Sequence, residues 1–141
     1  MASPVQEKSL VIVYHADCID GSAAAWAVSR AWHVKNNITY IPYEHFNNTA
    51  AEDDIRAVIT PGTALYFVDV VPEKYFLDEL MSPAKSGLSK LKAIHILDHH
   101  KSAAGALKGY RAPVTGANTP ALEIHIDPAK PSAAKMDFQR R

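Results

Sequence analysis

Cysteine is nearly absent: Cys18 stands alone among 141 residues, so an intrachain disulfide cannot form. That usage agrees with a reducing compartment. Long hydrophobic runs are missing as well. A membrane span needs about 20 consecutive apolar residues, and the longest runs here, Leu10–Tyr14 and the Asp69-interrupted Leu65–Val71, suit buried strands instead. The opening MASPVQEKS lacks the charged-then-apolar pattern of a secretory leader, so a cytoplasmic location with no membrane association is expected. Net charge is also lacking, since 15 Lys and Arg balance 15 Asp and Glu. A global basic field is thereby excluded. The charges are unevenly placed all the same: residues 1–70 hold 4 basic and 8 acidic side chains, and residues 71–141 hold 11 and 7. Most of these read as a solvated, mixed surface.

What is present is ordinary globular composition, 48% hydrophobic and 21% charged, at a length that fits one domain over 1–141. LVIVY (Leu10–Tyr14) is a continuous β-branched run, the pattern of a strand buried on both faces. After Gly21 the alanine-rich stretch SAAAWAVSRAWHVK predicts a helix with Ser22 as its N-cap. ITYIPY (Ile38–Tyr43) reads as a second strand, and Pro42 assigns its end to a sheet edge or exit. Thr49 to Glu52 has the form of a capping box opening a helix to about Ile59, stopped by Pro61 and Gly62.

ALYFVDVV (Ala64–Val71) reads as a third strand, followed by a helix from Pro72 and Glu73 to Met81. AIHIL (Ala93–Leu97) reads as a fourth strand, then a Gly- and Pro-bearing loop, then ALEIHID (Ala121–Asp127) as a fifth. Residues 128–141 are weakly patterned, either one short helix or a frayed tail. The alternation of strands and helices predicts an α/β domain of Rossmann-like type, a mainly parallel sheet of about five strands with helices on both faces.

The functional signal lies in where the polar residues fall. The first strand runs into His15, Asp17 and Asp20; the third carries Asp69 near its end; the fourth runs into Asp98, His99 and His100. In a parallel sheet the carboxyl ends of all strands share one edge, where ligands bind. Carboxylate oxygen with imidazole nitrogen suits Mn²⁺, Fe²⁺, Co²⁺ or Zn²⁺. Seven such groups exceed the needs of one tetrahedral ion and point to a pair of metals, which about 3.5–4 Å apart clamp both oxygens of a phosphoryl displacement. Phosphate affinity would then come from metal and local Lys or Arg. Any one strand-end Asp, Asp98 included, also reads as a helix cap or loop residue. Asp69 inside an apolar run is harder to explain that way, because an unpaired buried carboxylate is costly. Gly21 before a helix suits close backbone approach to a phosphate or serves as a simple turn. Cys18, among hard ligands, reads as a packed small residue.

HADCIDG (His15–Gly21), VDVVP (Val68–Pro72) and LDHHKSA (Leu97–Ala103) occur in that order and together resemble the first three motifs of the DHH phosphoesterase superfamily. That family includes RecJ-type exonucleases, nano-RNases, cyclic-dinucleotide phosphodiesterases and manganese pyrophosphatases. The likeness covers residues from about 10 to 103, and its opening is closer to the short-oligonucleotide branch than to pyrophosphatase. It implies a metal-dependent phosphoesterase acting on phosphodiester or phosphomonoester bonds of small nucleotides or short oligonucleotides. Two Mn²⁺ ions are implied, with Mg²⁺, Co²⁺ or Zn²⁺ as alternatives. By the same resemblance Asp69 bridges the two metals, His15 and Asp17 hold one, and Asp20 and His99 hold the other. Asp98 and His100 orient those ligands or touch the phosphate in catalysis.

Two features depart from the family pattern. Its fourth motif, with an aspartate completing the second metal, and its C-terminal substrate-binding domain have no counterpart in these 141 residues. SAAK (Ser132–Lys135) resembles a worn Ser-Gly-Ala segment, and Asp127 stands where it either substitutes as a ligand or forms a turn before Pro128. A homodimer or a partner subunit covering the open face is therefore expected. A truncated or non-catalytic metal-binding domain, and a pyrophosphatase-like hydrolase, are the alternative readings. His33, His45, His95 and His125 receive no site role; His95 and His125 alternate with apolar neighbours as structural residues do.

Overall fold

The computed structural model describes residues 9–16, 19–31, 37–44, 48–82, 91–111 and 119–128. Five strands form among them: β1 (Ser9–His15), β2 (Ile38–Tyr43), β3 (Thr63–Val68), β4 (Leu91–Asp98) and β5 (Ala121–Ile126). Four helices connect them: α1 (Ile19–Ala31), α2 (Thr49–Val58), α3 (Lys74–Leu80) and α4 (Lys101–Leu107). The strands make one sheet in the order β2-β1-β3-β4-β5, and every adjacent pair is parallel.

Strand periodicity divides the apolar residues between two cores. Leu10, Ile12, Ala64, Tyr66 and Val68 face one side and pack on Ala24, Ala25 and Val28 of α1. Val11, Val13, Leu65, Phe67, Ile94 and Ile96 face the other, against Ile55 of α2, Phe76, Leu77 and Leu80 of α3, and Leu107 of α4. The central strands are buried on both faces, which is why their sequences are continuous apolar runs and not alternating ones. The chain steps from β1 out to β2, then reverses to reach β3. Right-handed crossovers require the helices of those opposite steps to lie on opposite faces, as α1 and α2 do. The reversal places a topological switch point between β1 and β3, where the strand ends diverge and open α/β sheets bind ligands.

β2 is an edge strand, so Pro42 interrupts no ladder on its outer side. Other expectations need correction. α1 begins at Ile19, so Ser22 lies inside the helix and is not its cap. At α2 the N-cap is Asn48 without a side-chain cap bond, and Glu52 serves elsewhere: it is buried and accepts the Tyr75 hydroxyl at 2.6 Å. β3 stops at Val68 and not Val71, because Asp69 takes φ +62 and leaves the strand path. The span expected as a loop after β4 contains α4. Three alanines in KSAAGAL outweigh Gly105 locally, and the helix ends in a turn at Gly109, whose φ of +67 is open to glycine at no steric cost. Among the described residues no helix is long and apolar enough to cross a membrane.

Candidate metal centre

Asp69, Asp98, His99 and His100 converge at the carboxyl ends of β3 and β4. One potential ligand atom from each lies within 4.8 Å of all the others. Asp69 directly follows β3 and Asp98 closes β4, strands that are hydrogen-bonded neighbours, so adjacent strand ends carry the two carboxylates. Both are buried, at 0% and 2% exposure. The Asp69 backbone N–H donates to the Leu97 carbonyl at 2.9 Å, which ties the two strand ends together beyond the regular ladder.

Asp69 holds a left-handed backbone, φ +62. For a non-glycine residue that conformation costs on the order of 1 kcal/mol, least for Asp and Asn. Three imidazoles surround its carboxylate. His99 Nε2 is 3.0 Å from Oδ1, His15 Nδ1 is 3.5 Å from Oδ2, and His100 Nδ1 is 3.8 Å from Oδ1. His15 comes from β1, on the other side of β3, and its ring meets that of His100 edge to face at 6.5 Å. The centre thus spans the switch point.

Asp98 has a different task. Its Oδ1 accepts the backbone N–H of His99 at 2.7 Å and that of His100 at 3.3 Å, and also faces His100 Nδ1 at 2.7 Å. A carboxylate accepts only, so the His100 Nδ1 carries the proton in that contact and Nε2 is left as the basic nitrogen. Asp98 therefore fixes the turn that leads into α4 and the tautomer of His100. The cap reading and the site reading of a strand-end Asp describe one residue here.

The chain matches no family model, and no curated protein or solved structure matches it significantly. What the centre does must be argued from its own chemistry.

The residues fit a divalent cation. Two buried carboxylates within 4.8 Å of each other repel, and burial raises the penalty. A cation bound among them reverses that sign. Bonds of about 2.0–2.2 Å to nitrogen and oxygen put ligand atoms roughly 3–4 Å apart, so separations of up to 4.8 Å would close by about 1–2 Å on binding. The mixed oxygen and nitrogen set favours a transition metal over Ca²⁺.

Of the seven residues expected to build the site, four form this group and His15 stands beside Asp69. Asp20 lies in the first turn of α1, and Asp17 falls outside the described residues. So do Cys18, His33, His45 and Ser132–Lys135. Asp127 is not in the group; its backbone N–H donates to the Asp98 carbonyl at 3.0 Å, extending the β4–β5 ladder. His95 is buried, stacked on Tyr66 at 4.3 Å and 2.8 Å from Glu123 Oε2, while His125 is exposed. Neither joins the centre. The left-handed Asp69 escaped sequence reasoning. Its one signal is an acid ending an apolar strand directly ahead of more β-branched residues, which both a continuing strand and a sharp exit produce.

Proposed function

We propose that this chain is the metal-bearing domain of a DHH-type phosphoesterase that hydrolyses phosphodiester or phosphomonoester bonds of small nucleotides or short oligonucleotides. The observation that carries the reading is the buried Asp69, Asp98, His99 and His100 group at adjacent parallel strand ends. The order of the HADCIDG, VDVVP and LDHHKSA motifs, which supply these four residues and His15, supports it.

In this reading Asp69, His99 and His15 would hold metal, together with Asp17 and Asp20, which the resemblance alone assigns. A bound pair of divalent ions, Mn²⁺ by preference, supplies Lewis acidity at the phosphoryl oxygens. The protein's own part is positional. Asp69, held by the Leu97 carbonyl in its left-handed turn, presents both carboxylate oxygens to the imidazoles around it. Asp98 holds His100 through Nδ1, which leaves Nε2 to interact with a phosphate oxygen or leaving group. The rim lies at the switch point, the edge where open α/β sheets bind ligands. A second copy or another subunit is proposed to cover this open edge.

The test is turnover of a dinucleotide, a mononucleotide and pyrophosphate by the purified chain with Mn²⁺, beside Asp69→Asn. Dinucleotide or mononucleotide cleavage lost in Asp69→Asn is expected. Metal binding without turnover of any of the three would indicate a non-catalytic domain, and pyrophosphate as the sole substrate an anhydride hydrolase.

A further inference from the structure

Beside the metal centre, on the α2–α3–α4 side of the sheet, lies a cavity of about 410 Å³. Three features tie it to the centre. Tyr43, which lines it, is the register partner of His15 on the neighbouring strand. Val70, another wall residue, directly follows Asp69. The opposite wall, Gly105 to Leu107, belongs to α4, the helix that begins at the residue after His100. A ligand held at the centre can therefore extend into this space. The volume is within the range of small-molecule sites, roughly 300–1,000 Å³.

The walls specify what kind of group fits. Val70, Val71, Pro72 and Leu107 are apolar and suit the faces of a flat ring. Glu44 and Glu73 are acceptors for N–H groups at a ring edge; Lys74 also lines the space, so the two carboxylates against one ammonium leave it net acidic. Tyr43 is 1% exposed; the Glu73 backbone N–H approaches its hydroxyl oxygen, and among the described residues the hydroxyl proton has no acceptor. Burial, reinforced by the nearby Glu52 carboxylate, holds that phenol above its ordinary pKa and so keeps it a donor. A buried hydroxyl proton without an acceptor costs free energy, and a ligand that accepts it at the cavity wall removes that cost. Gly105 sits in mid-helix, where glycine is unfavourable, and a Cβ built there meets nothing within 4 Å. The wall is low at that point and open to the cavity.

We infer that this cavity is the subsite for a nucleobase bearing an exocyclic amine, attached to the phosphate that the Asp69 centre holds. The base lies between the Val70–Pro72 segment and α4, gives its amine hydrogens to the glutamates and accepts the Tyr43 hydroxyl at a ring nitrogen or carbonyl. The identity of the attached phosphate rests on the phosphoesterase reading; occupation by the base does not depend on metal.

Adenosine separates the two, because it carries the base and no phosphate. Its binding to the full chain, without metal, is followed by ligand-observed NMR, with uridine and ribose 5-phosphate as comparisons. Adenosine is expected to bind about tenfold more tightly than uridine. Gly105→Leu, whose Cβ meets no protein atom within 4 Å, should abolish adenosine binding while leaving Mn²⁺ affinity and the circular dichroism spectrum unchanged. Tyr43→Phe should weaken adenosine by several-fold, and Asp69→Asn should leave it intact. Absence of adenosine binding to the parent chain, or binding that survives Gly105→Leu, overturns the subsite. Adenosine binding with no Mn²⁺ binding keeps the subsite and overturns only the phosphoesterase reading.

Discussion

The Asp69 carboxylate and the His99 imidazole come from neighbouring strand ends, 30 residues apart in sequence, and meet with Oδ1 and Nε2 3.0 Å apart. Asp69 makes the contact from a left-handed turn at φ +62, one residue past the end of β3.

Asp69→Asn and Asp69→Ala separate charge from backbone shape. Asn tolerates the left-handed region about as well as Asp, and it removes one of two buried carboxylates that repel each other. The metal-free Asp69→Asn protein is expected to unfold in urea at a midpoint equal to or above the parent's, while Mn²⁺ binding by calorimetry is lost. Asp69→Ala should also lose metal but fall by about 1–2 kcal/mol in stability, since alanine is strained in that conformation without local polar compensation. Parent-like Mn²⁺ affinity in either variant would remove Asp69 from the centre.

Three histidines test whether ligation and structural roles come apart. His99→Ala should lower Mn²⁺ affinity by at least about tenfold. His95→Ala should leave metal binding alone and reduce stability by about 1–3 kcal/mol, because it empties a buried position stacked on Tyr66. His125→Ala, at an exposed strand position, should alter neither. Equal losses of metal affinity across the three would mean that folding, not ligation, is being measured.

Much of this architecture is legible in the residues themselves. Ile38–Tyr43 forms the strand read from ITYIPY, and LVIVY and ALYFV are buried on both faces as continuous apolar runs require. The convergence of Asp69 with Asp98, His99 and His100 follows from one rule, that parallel strands end on one edge. What was not legible depends on groups distant in sequence. Glu52 looks like a capping residue until Tyr75, 23 positions away, claims both of its oxygens. α4 is hidden because Gly105 and Gly109 read as loop residues, and its value lies in burying Ala103 and Leu107 against a sheet that local pattern cannot see. The cavity beside the centre is assembled from four separate segments, and only Val70–Pro72, the end of VDVVP, belongs to a motif.

The Tyr75–Glu52 contact predicts an alkaline response. Its hydroxyl donates to the buried carboxylate at 2.6 Å, and that hydrogen bond, with burial adding to it, raises the phenol to about 12 from 10.0. A pKa higher in the folded than in the unfolded chain contributes stability that is complete below the unfolded value and lost as pH climbs through the folded one. Unfolding free energy should therefore decline between pH 10 and 12 as this bond between α2 and α3 breaks. Tyr75→Phe should lower stability near neutral pH by about 1–3 kcal/mol, by stranding Glu52, and flatten the decline above pH 10. An alkaline decline in Tyr75→Phe as steep as in the parent would assign it to other groups.

Asp98 is the residue where two roles can be pulled apart. Its Oδ1 accepts two backbone N–H groups, from His99 and His100, and also the His100 imidazole. Asparagine keeps a carbonyl oxygen able to accept all three, but without the negative charge that favours a proton on Nδ1. Alanine removes the acceptor and leaves the two N–H groups at a buried turn without it. Asp98→Ala should therefore cost about 1–3 kcal/mol in urea unfolding, and Asp98→Asn less than about 1. Metal affinity orders the variants differently: both should weaken Mn²⁺ binding, by about 10–100-fold, because both lose the carboxylate that orients and polarises His100. Nitrogen-15 chemical shifts of His100 then read the tautomer directly. The parent should carry its proton on Nδ1, and Asp98→Asn should show a mixture of Nδ1 and Nε2 forms. A variant that keeps the parent's tautomer yet loses metal would show that Asp98 acts as a ligand itself; one that loses the tautomer and keeps full Mn²⁺ affinity would show that His100 does not take part in holding the metal.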